Sequence, residues 1–412
     1  MGGQDERRNT ARPGVTLGLE RGAARPSPVL LALGGLVALA GGMGIGRFIL
    51  TPALPMMASA GLTPGLAGFV ASANFAGYLA GALMVGLPLF RGHPRRWLVV
   101  GLVVSALSTA AMAVADWVGL WIALRFLGGV ASAVILVTAS TLVLARLRAR
   151  GEGQYAWIHF AGVGSGIAIT ALLSSPWVMV GEAWRALWLA GGAATLVALL
   201  VVLRLAPAEA PAATGAAPQA APADAPDPGF WRLAAAYGCV GYGYVITATF
   251  IVASLREGGG SRAEEALVWL AVGLAAIPSV WLWERAARRF GVLRAFLAAM
   301  LVEAAGVGLA AVASGAAALT LAAVALGGTF MALTALGLQE AARRQPARAQ
   351  RAVALMSAAF AAGQMIGPAV AGLLRVETGS YTLPSLTAAA ILLTGAAILW
   401  PLMQRERAAL SA

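Results

Sequence analysis

VLLALGGLVALAGGMGIGRFILTPALP, residues 29–55, is the stretch that decides the fold class. It carries one charge, Arg47, in an otherwise apolar run. A helix of about 20 apolar residues crosses a hydrocarbon core of roughly 30 Å. Inside lipid every backbone N–H and C=O must be paired within the protein, which leaves helices or a closed barrel. A barrel strand would alternate apolar with polar residues. This run is continuously apolar and rich in Gly, Ala, Leu and Val, so it is a membrane helix.

Working outward, similar runs recur along the chain. Spans are expected at 29–55, 65–90, 97–115, 117–144, 155–177, 184–204, 230–254, 266–284, 291–313, 316–338, 352–374 and 381–402. The composition agrees: 60% of the 412 residues are hydrophobic and 11% charged, with mean hydropathy +0.81. A soluble domain of this size needs a far more charged surface. The expected class is therefore an all-α membrane protein with twelve transmembrane helices.

The net charge of +12 would suggest nucleic acid in a soluble protein. Here the arginines lie in short loops between apolar runs, so no nucleic-acid partner is expected. All 29 basic residues are Arg. The N-tail, the loops after spans 2, 4, 6, 8 and 10, and the C-tail hold 23 of them; the opposite loops hold only Arg185, Arg256, Arg262 and Arg375. Arginine-rich loops stay in the cytoplasm, which places both termini there. The first apolar stretch is too long for a signal-peptide core. Trp117, Trp184, Trp231 and Trp400 fall at span ends, where indole rings anchor at the interface. The single cysteine, Cys239, excludes an internal disulfide, and neither a metal motif nor a cofactor motif is present.

Residues 206–229, APAEAPAATGAAPQAAPADAPDPG, break the pattern and read as a Pro/Ala-rich cytoplasmic linker. The expected organisation is a tail at 1–28, a six-helix bundle at 29–205, the linker, a second bundle at 230–402 and a tail at 403–412. The halves are weakly self-similar. Gly44-x-Gly46 in span 1 answers to Gly241-x-Gly243 in span 7, and Leu127-Gly128-Gly129 in span 4 to Leu326-Gly327-Gly328 in span 10. Phe160-Ala161 in span 5 answers to Phe360-Ala361 in span 11. A duplication of six spans relates the halves by an axis along the membrane normal.

These features resemble the major facilitator superfamily. Arg125-Phe-Leu-Gly128-Gly129 resembles its span-4 motif, and Gly363-x-x-x-Gly367-Pro368 in span 11 a motif that many family exporters carry in span 5. Span 5 here has Gly162-x-Gly164-x-Gly166 without proline. Arg91-Gly-His-Pro-Arg-Arg96 keeps the basic part of the family's loop after span 2 and lacks its aspartate, whereas the end of span 8 keeps Glu284 with Arg285, Arg288 and Arg289. A narrower resemblance, to the YbfB/YjiJ group, rests on Gly44-Ile-Gly46-Arg47-Phe48, Thr51-Pro52, Leu54-Pro55 and Ala71-Ser-Ala-Asn74. His159-Phe-Ala-Gly-Val-Gly164 and Gly241-Tyr-Gly-Tyr-Val-Ile-Thr-Ala-Thr249 fit the same group. The resemblance implies the major facilitator fold, transport activity, a small-molecule solute and a functional monomer. It implies no particular substrate.

Charged side chains at membrane depth must face a cavity or a partner. Arg47 and Arg125 each lie about eight residues, or roughly 12 Å, from the outer ends of their spans. Asn74 in span 2 reaches a similar depth. The functional reading is a guanidinium site for an anionic substrate group; the structural one is that Arg125 bonds carbonyls at the proline-broken end of span 1. Tyr242, Tyr244, Thr247 and Thr249 in span 7 and Gln364 in span 11 offer hydrogen bonds from the second half, though such residues also serve ordinary helix contacts. His159, whose ordinary pKa is about 6.5, and Glu303 in span 9 are the candidates for carrying a proton. Each also has a structural reading as a locally hydrogen-bonded group. No catalytic residue is expected.

The expected function is a secondary active transporter in the bacterial inner membrane. It moves a small organic solute, favoured as an organic anion, by alternating access with proton coupling. No Walker motif points to ATP. The alternatives from other classes are a non-transporting sensor and a membrane-embedded enzyme such as an acyl or glycosyl transferase. The short arginine-rich loops and two histidines disfavour the enzyme.

Overall fold

A computed structural model describes residues 27–90, 93–114, 116–176, 178, 183–205, 228–313 and 315–411. Among them every regular element is helical. Twelve long helices follow in order: α1 Pro28–Met57, α2 Pro64–Val85, α3 Pro94–Ala111, α4 Val118–Ala149, α5 Ala156–Ser174 and α6 Trp184–Leu205. They continue with α7 Pro228–Glu257, α8 Arg262–Phe290, α9 Val292–Val312, α10 Ala316–Arg344, α11 Ala349–Thr378 and α12 Thr382–Ser411.

Eleven of these helices are long and apolar enough to cross a membrane. The exception is α3, whose first turn holds Pro94, Arg95 and Arg96. Those arginines lower its mean hydropathy without shortening the apolar run that follows. Most of the linker expected at 206–229 lies outside the described residues; its last two, Pro228 and Gly229, open α7. The tail expected at 1–28 lies almost wholly outside them as well. At the other terminus α12 continues through residue 411, past the span end expected at 402.

The helix ends follow from local chemistry. Ser27 and Thr63 cap α1 and α2, their hydroxyls accepting from Leu30 N and Leu66 N, and each precedes a proline at the first helical position. Ser261 and Glu264 close a capping box on α8. Gly379, at φ 72°, ends α11 in the left-handed conformation that a Cβ would oppose.

Packing runs through neighbouring helices. Helix α2 lies on α4, α3 on α4 and α6, and α1 on α5 and α6. Later in the chain α8 and α9 lie on α10, α9 and α7 on α12, and α7 on α11. The contacts that join the earlier six helices to the later six include α2 on α11, α5 on α8 and the end of α1 on α7. Lipid supplies no hydrophobic force between helices, so close approach at small residues does the work. A methyl group on Gly129 would overlap the Asn74 carbonyl oxygen, and one on Gly77 the Phe126 carbonyl oxygen. Gly129→Ala is expected to destabilise the protein by about 1–3 kcal/mol, because backbone on backbone cannot give way as a side chain can. A lowered melting temperature in detergent checks this.

Candidate functional site

The site begins with a defect in α1. Residues Ala40–Ile45 form a wide π-type turn, and regular helix resumes with Gly46, Arg47 and Phe48. Glycines permit the distortion: Gly44 lies against the backbone of Gly166 and Gly46 against the Ser105 hydroxyl. Pro52 and Pro55 then remove two backbone donors downstream. The backbone at Gly46 and Arg47 also takes side-chain donors from another helix.

Arg125 supplies them. From α4 its Nη1 donates to Gly46 O and its Nη2 to Arg47 O, both at 2.7 Å. Asn74 of α2 donates through Nδ2 to Arg125 O at 2.9 Å. Arg125 and Asn74 are both buried. The Arg125 guanidinium thus spends its terminal nitrogens on holding α1 to α4, and Asn74 holds α2 to the same point.

Arg47 is arranged differently. Its guanidinium carbon lies 4.4 Å from the Phe75 ring centre, 4.7 Å from Tyr78 and 5.8 Å from Phe48. Ring faces attract the cation but do not cancel its charge. Its Nε and Nη2 are buried without a hydrogen-bond acceptor. Among the described residues no carboxylate pairs with it. Arg47 faces a narrow cavity between α1, α2, α4 and α7, shared with Thr51, Asn74, Arg125 and Thr249. The Asn74 Oδ1, also unpartnered, is a second vacant polar atom there.

The later helices bring a second group close. Tyr244 of α7 is stacked between Phe330 and Phe360, each ring centre 5.6 Å away. Its hydroxyl accepts from Gln364 Nε2, while Gln364 Oε1 has no partner. The Phe330 ring that stacks on Tyr244 also meets Phe48, the neighbour of Arg47, at 5.9 Å. Thr51 ties the two sides by donating to Ala248 O at 2.7 Å. Thr249 turns inward to its own helix, donating to Val245 O, and the buried Thr247 hydroxyl is unpartnered. Tyr242 is buried where α7 meets Gly363 of α11.

The two proton candidates lie outside the cavity lining. His159 is fully buried among α1, α4 and α5; its Nε2 meets the Ser140 hydroxyl at 3.0 Å and its Nδ1 faces Gly35 without a partner. Glu303 is enclosed between α9 and α10. The rings around Arg47 were not among the expected site residues. Their signal was present: Ala71, Phe75 and Tyr78 share one face of span 2.

The sequence family agrees with this fold. A family model described as an uncharacterised MFS-type transporter, YbfB, matches residues 39–400. The chain belongs to the YbfB family of major facilitator transporters. As a YbfB-family member it is an integral, multi-pass membrane transporter rather than an enzyme. Two crystal structures of the nucleoside transporter NupG share the fold. The D323A mutant superposes with TM-score 0.69 at 14% identity, covering 90% of this chain and 99% of that one. The other gives 0.64 at 15% identity, covering 90% and 98%. No curated protein matches this YbfB-family chain in sequence.

Proposed function

We propose that the protein is a proton-coupled secondary transporter of a small organic anion, working by alternating access in the bacterial inner membrane. One observation carries the anion assignment: Arg47 is a buried guanidinium whose Nε and Nη2 have no acceptor and which pairs with no carboxylate among the described residues. A carboxylate is the partner that such a fork fits best. The arginine distribution supports cytoplasmic termini, and the repeat supports two six-helix bundles about a central site. A functional monomer is the working form.

Contacts between the halves support the rocking motion that alternating access needs. Thr51 bonds Ala248, Thr170 accepts from Trp269 Nε1 at 2.9 Å, and Ser174 O accepts from Arg262 at 3.1 Å. Gly68 meets the Pro368 backbone. All four lie toward the periplasmic ends under this topology, as expected for a conformation sealed outside and poised to open inward.

A neutral planar solute is the second reading, favoured by the Tyr244 stack with Phe330 and Phe360 and by the nucleoside transporters of the same fold. Flux into proteoliposomes separates the readings. Uptake of a labelled organic anion, accelerated at least tenfold by an inward proton gradient, is expected. Flux of nucleosides alone would favour the neutral reading, and ligand binding with no flux would make the protein a sensor.

A further inference from the structure

Arg47 and Arg125 line one cavity between α1, α2, α4 and α7, and their exposures are 6% and 3%. Arginine keeps its proton in a protein, so two positive charges are buried around the same space. None of α1–α6 contains an Asp or Glu, and the first acid of α7 is Glu257 at its last residue. The terminal nitrogens of Arg125 are spent on carbonyls, but its Nε and the Arg47 Nε and Nη2 have no acceptor. The lining hydroxyls add no further donor, because Thr51 and Thr249 spend their protons on Ala248 O and Val245 O. The unpartnered atom of Asn74 is an acceptor, Oδ1.

The size of the cavity narrows the ligand. It encloses about 10 Å³, room for one water-sized particle. Phe48, Leu50, Ala71 and Phe75 make the walls largely apolar. A water bridging Arg47 to Asn74 Oδ1 fits the space but leaves both charges uncompensated, which is costly in such surroundings. A polyatomic oxyanion needs more room and more donors, and it sets its own lone pairs against Asn74 Oδ1. A monovalent anion of a single atom meets the conditions together. It is one particle, it accepts from two or three N–H groups, and it cancels one charge.

We propose that the closed protein holds one halide ion, chloride, on Arg47. This rests on the reading of Arg47 as the anion site and gives that site a second ligand. The ion enters and leaves when the two halves part. An organic anion must displace it, so chloride competes with the transported solute.

The melting temperature of the purified protein, with no organic anion present, tests the site. Sodium chloride is exchanged for sodium sulfate at constant ionic strength. Such an exchange changes solvation of every variant alike, so the reading is the difference between wild type and Arg47→Gln. Relative to Arg47→Gln, wild type should gain about 2 °C in a saturable rise, once chloride is roughly tenfold above its dissociation constant. Bromide should give the same rise. Arg47→Lys should keep most of it, because a spherical ion asks for charge rather than for a planar fork. Sulfate medium is then the one in which Arg47→Gln melts no lower than wild type. An equal chloride response in wild type and Arg47→Gln overturns the site. Independently of any variant, crystals grown in bromide should show an anomalous-scattering peak beside Arg47 Nε and Nη2, and no peak there overturns it as well. Either failure leaves the organic-anion reading standing, whereas a chloride response with no organic-anion binding overturns that reading alone.

Discussion

Arg125→Ala is expected to cost about 3 kcal/mol of stability and to lower the melting temperature by several degrees. The substitution removes hydrogen bonds to Gly46 O and Arg47 O, both at 2.7 Å. Each bond from a charged donor contributes roughly 1.5–3 kcal/mol, and the carbonyls left behind are buried. Relief from burying the guanidinium offsets part of the loss. Arg125→Lys should not restore stability, because a single ammonium cannot bridge both carbonyls as the planar fork does. Ligand binding would fall too, through loss of the bend that positions Arg47. Asn74→Ala is a milder break in the same clamp. A melting temperature at wild-type level in Arg125→Ala would return that residue to the list of substrate contacts.

Arg47→Gln should behave in the opposite way. It removes a buried charge that pairs with no carboxylate among the described residues, so stability holds or rises. Affinity for the anion should fall about 100-fold, the loss of roughly 3 kcal/mol of charge-assisted bonding. Arg47→Lys keeps the charge and loses the fork, and an intermediate loss is expected. Titration of the purified variants with the same anion checks the order wild type, Lys, Gln.

The contrast between these arginines explains what the sequence could and could not show. Apolar runs near twenty residues placed all twelve helices, because lipid forces a long continuous pattern on the chain. The distortion of α1 was less legible. Glycines at 41, 42, 44 and 46 with prolines at 52 and 55 mark a weak helix, but only the tertiary structure shows that Arg125 holds its backbone at Gly46 and Arg47. Equal depth put Arg47, Arg125 and Asn74 at one level, and they do meet. Depth does not tell which guanidinium is spent on backbone and which is vacant. That depends on the direction of each side chain about its helix, set by packing between segments roughly 80 residues apart. The aromatic faces of Phe75 and Tyr78 were readable as a stripe on span 2 but not as the seat of a cation. His159 and Glu303 were recognisable as titratable; their separation from the Arg47 cavity came from the placement of α5 and α9.

The most direct test of the anion site is the melting temperature of the purified protein against a panel of organic anions, cations, sugars, nucleosides and amino acids. A ligand that binds only the folded state raises that temperature by mass action. One class of organic anion should stabilise the wild type and fail to stabilise Arg47→Gln, while Arg47→Gln alone melts no lower than wild type. Stabilisation by neutral or cationic compounds only, or by the same anion in both proteins, would contradict a substrate role for Arg47.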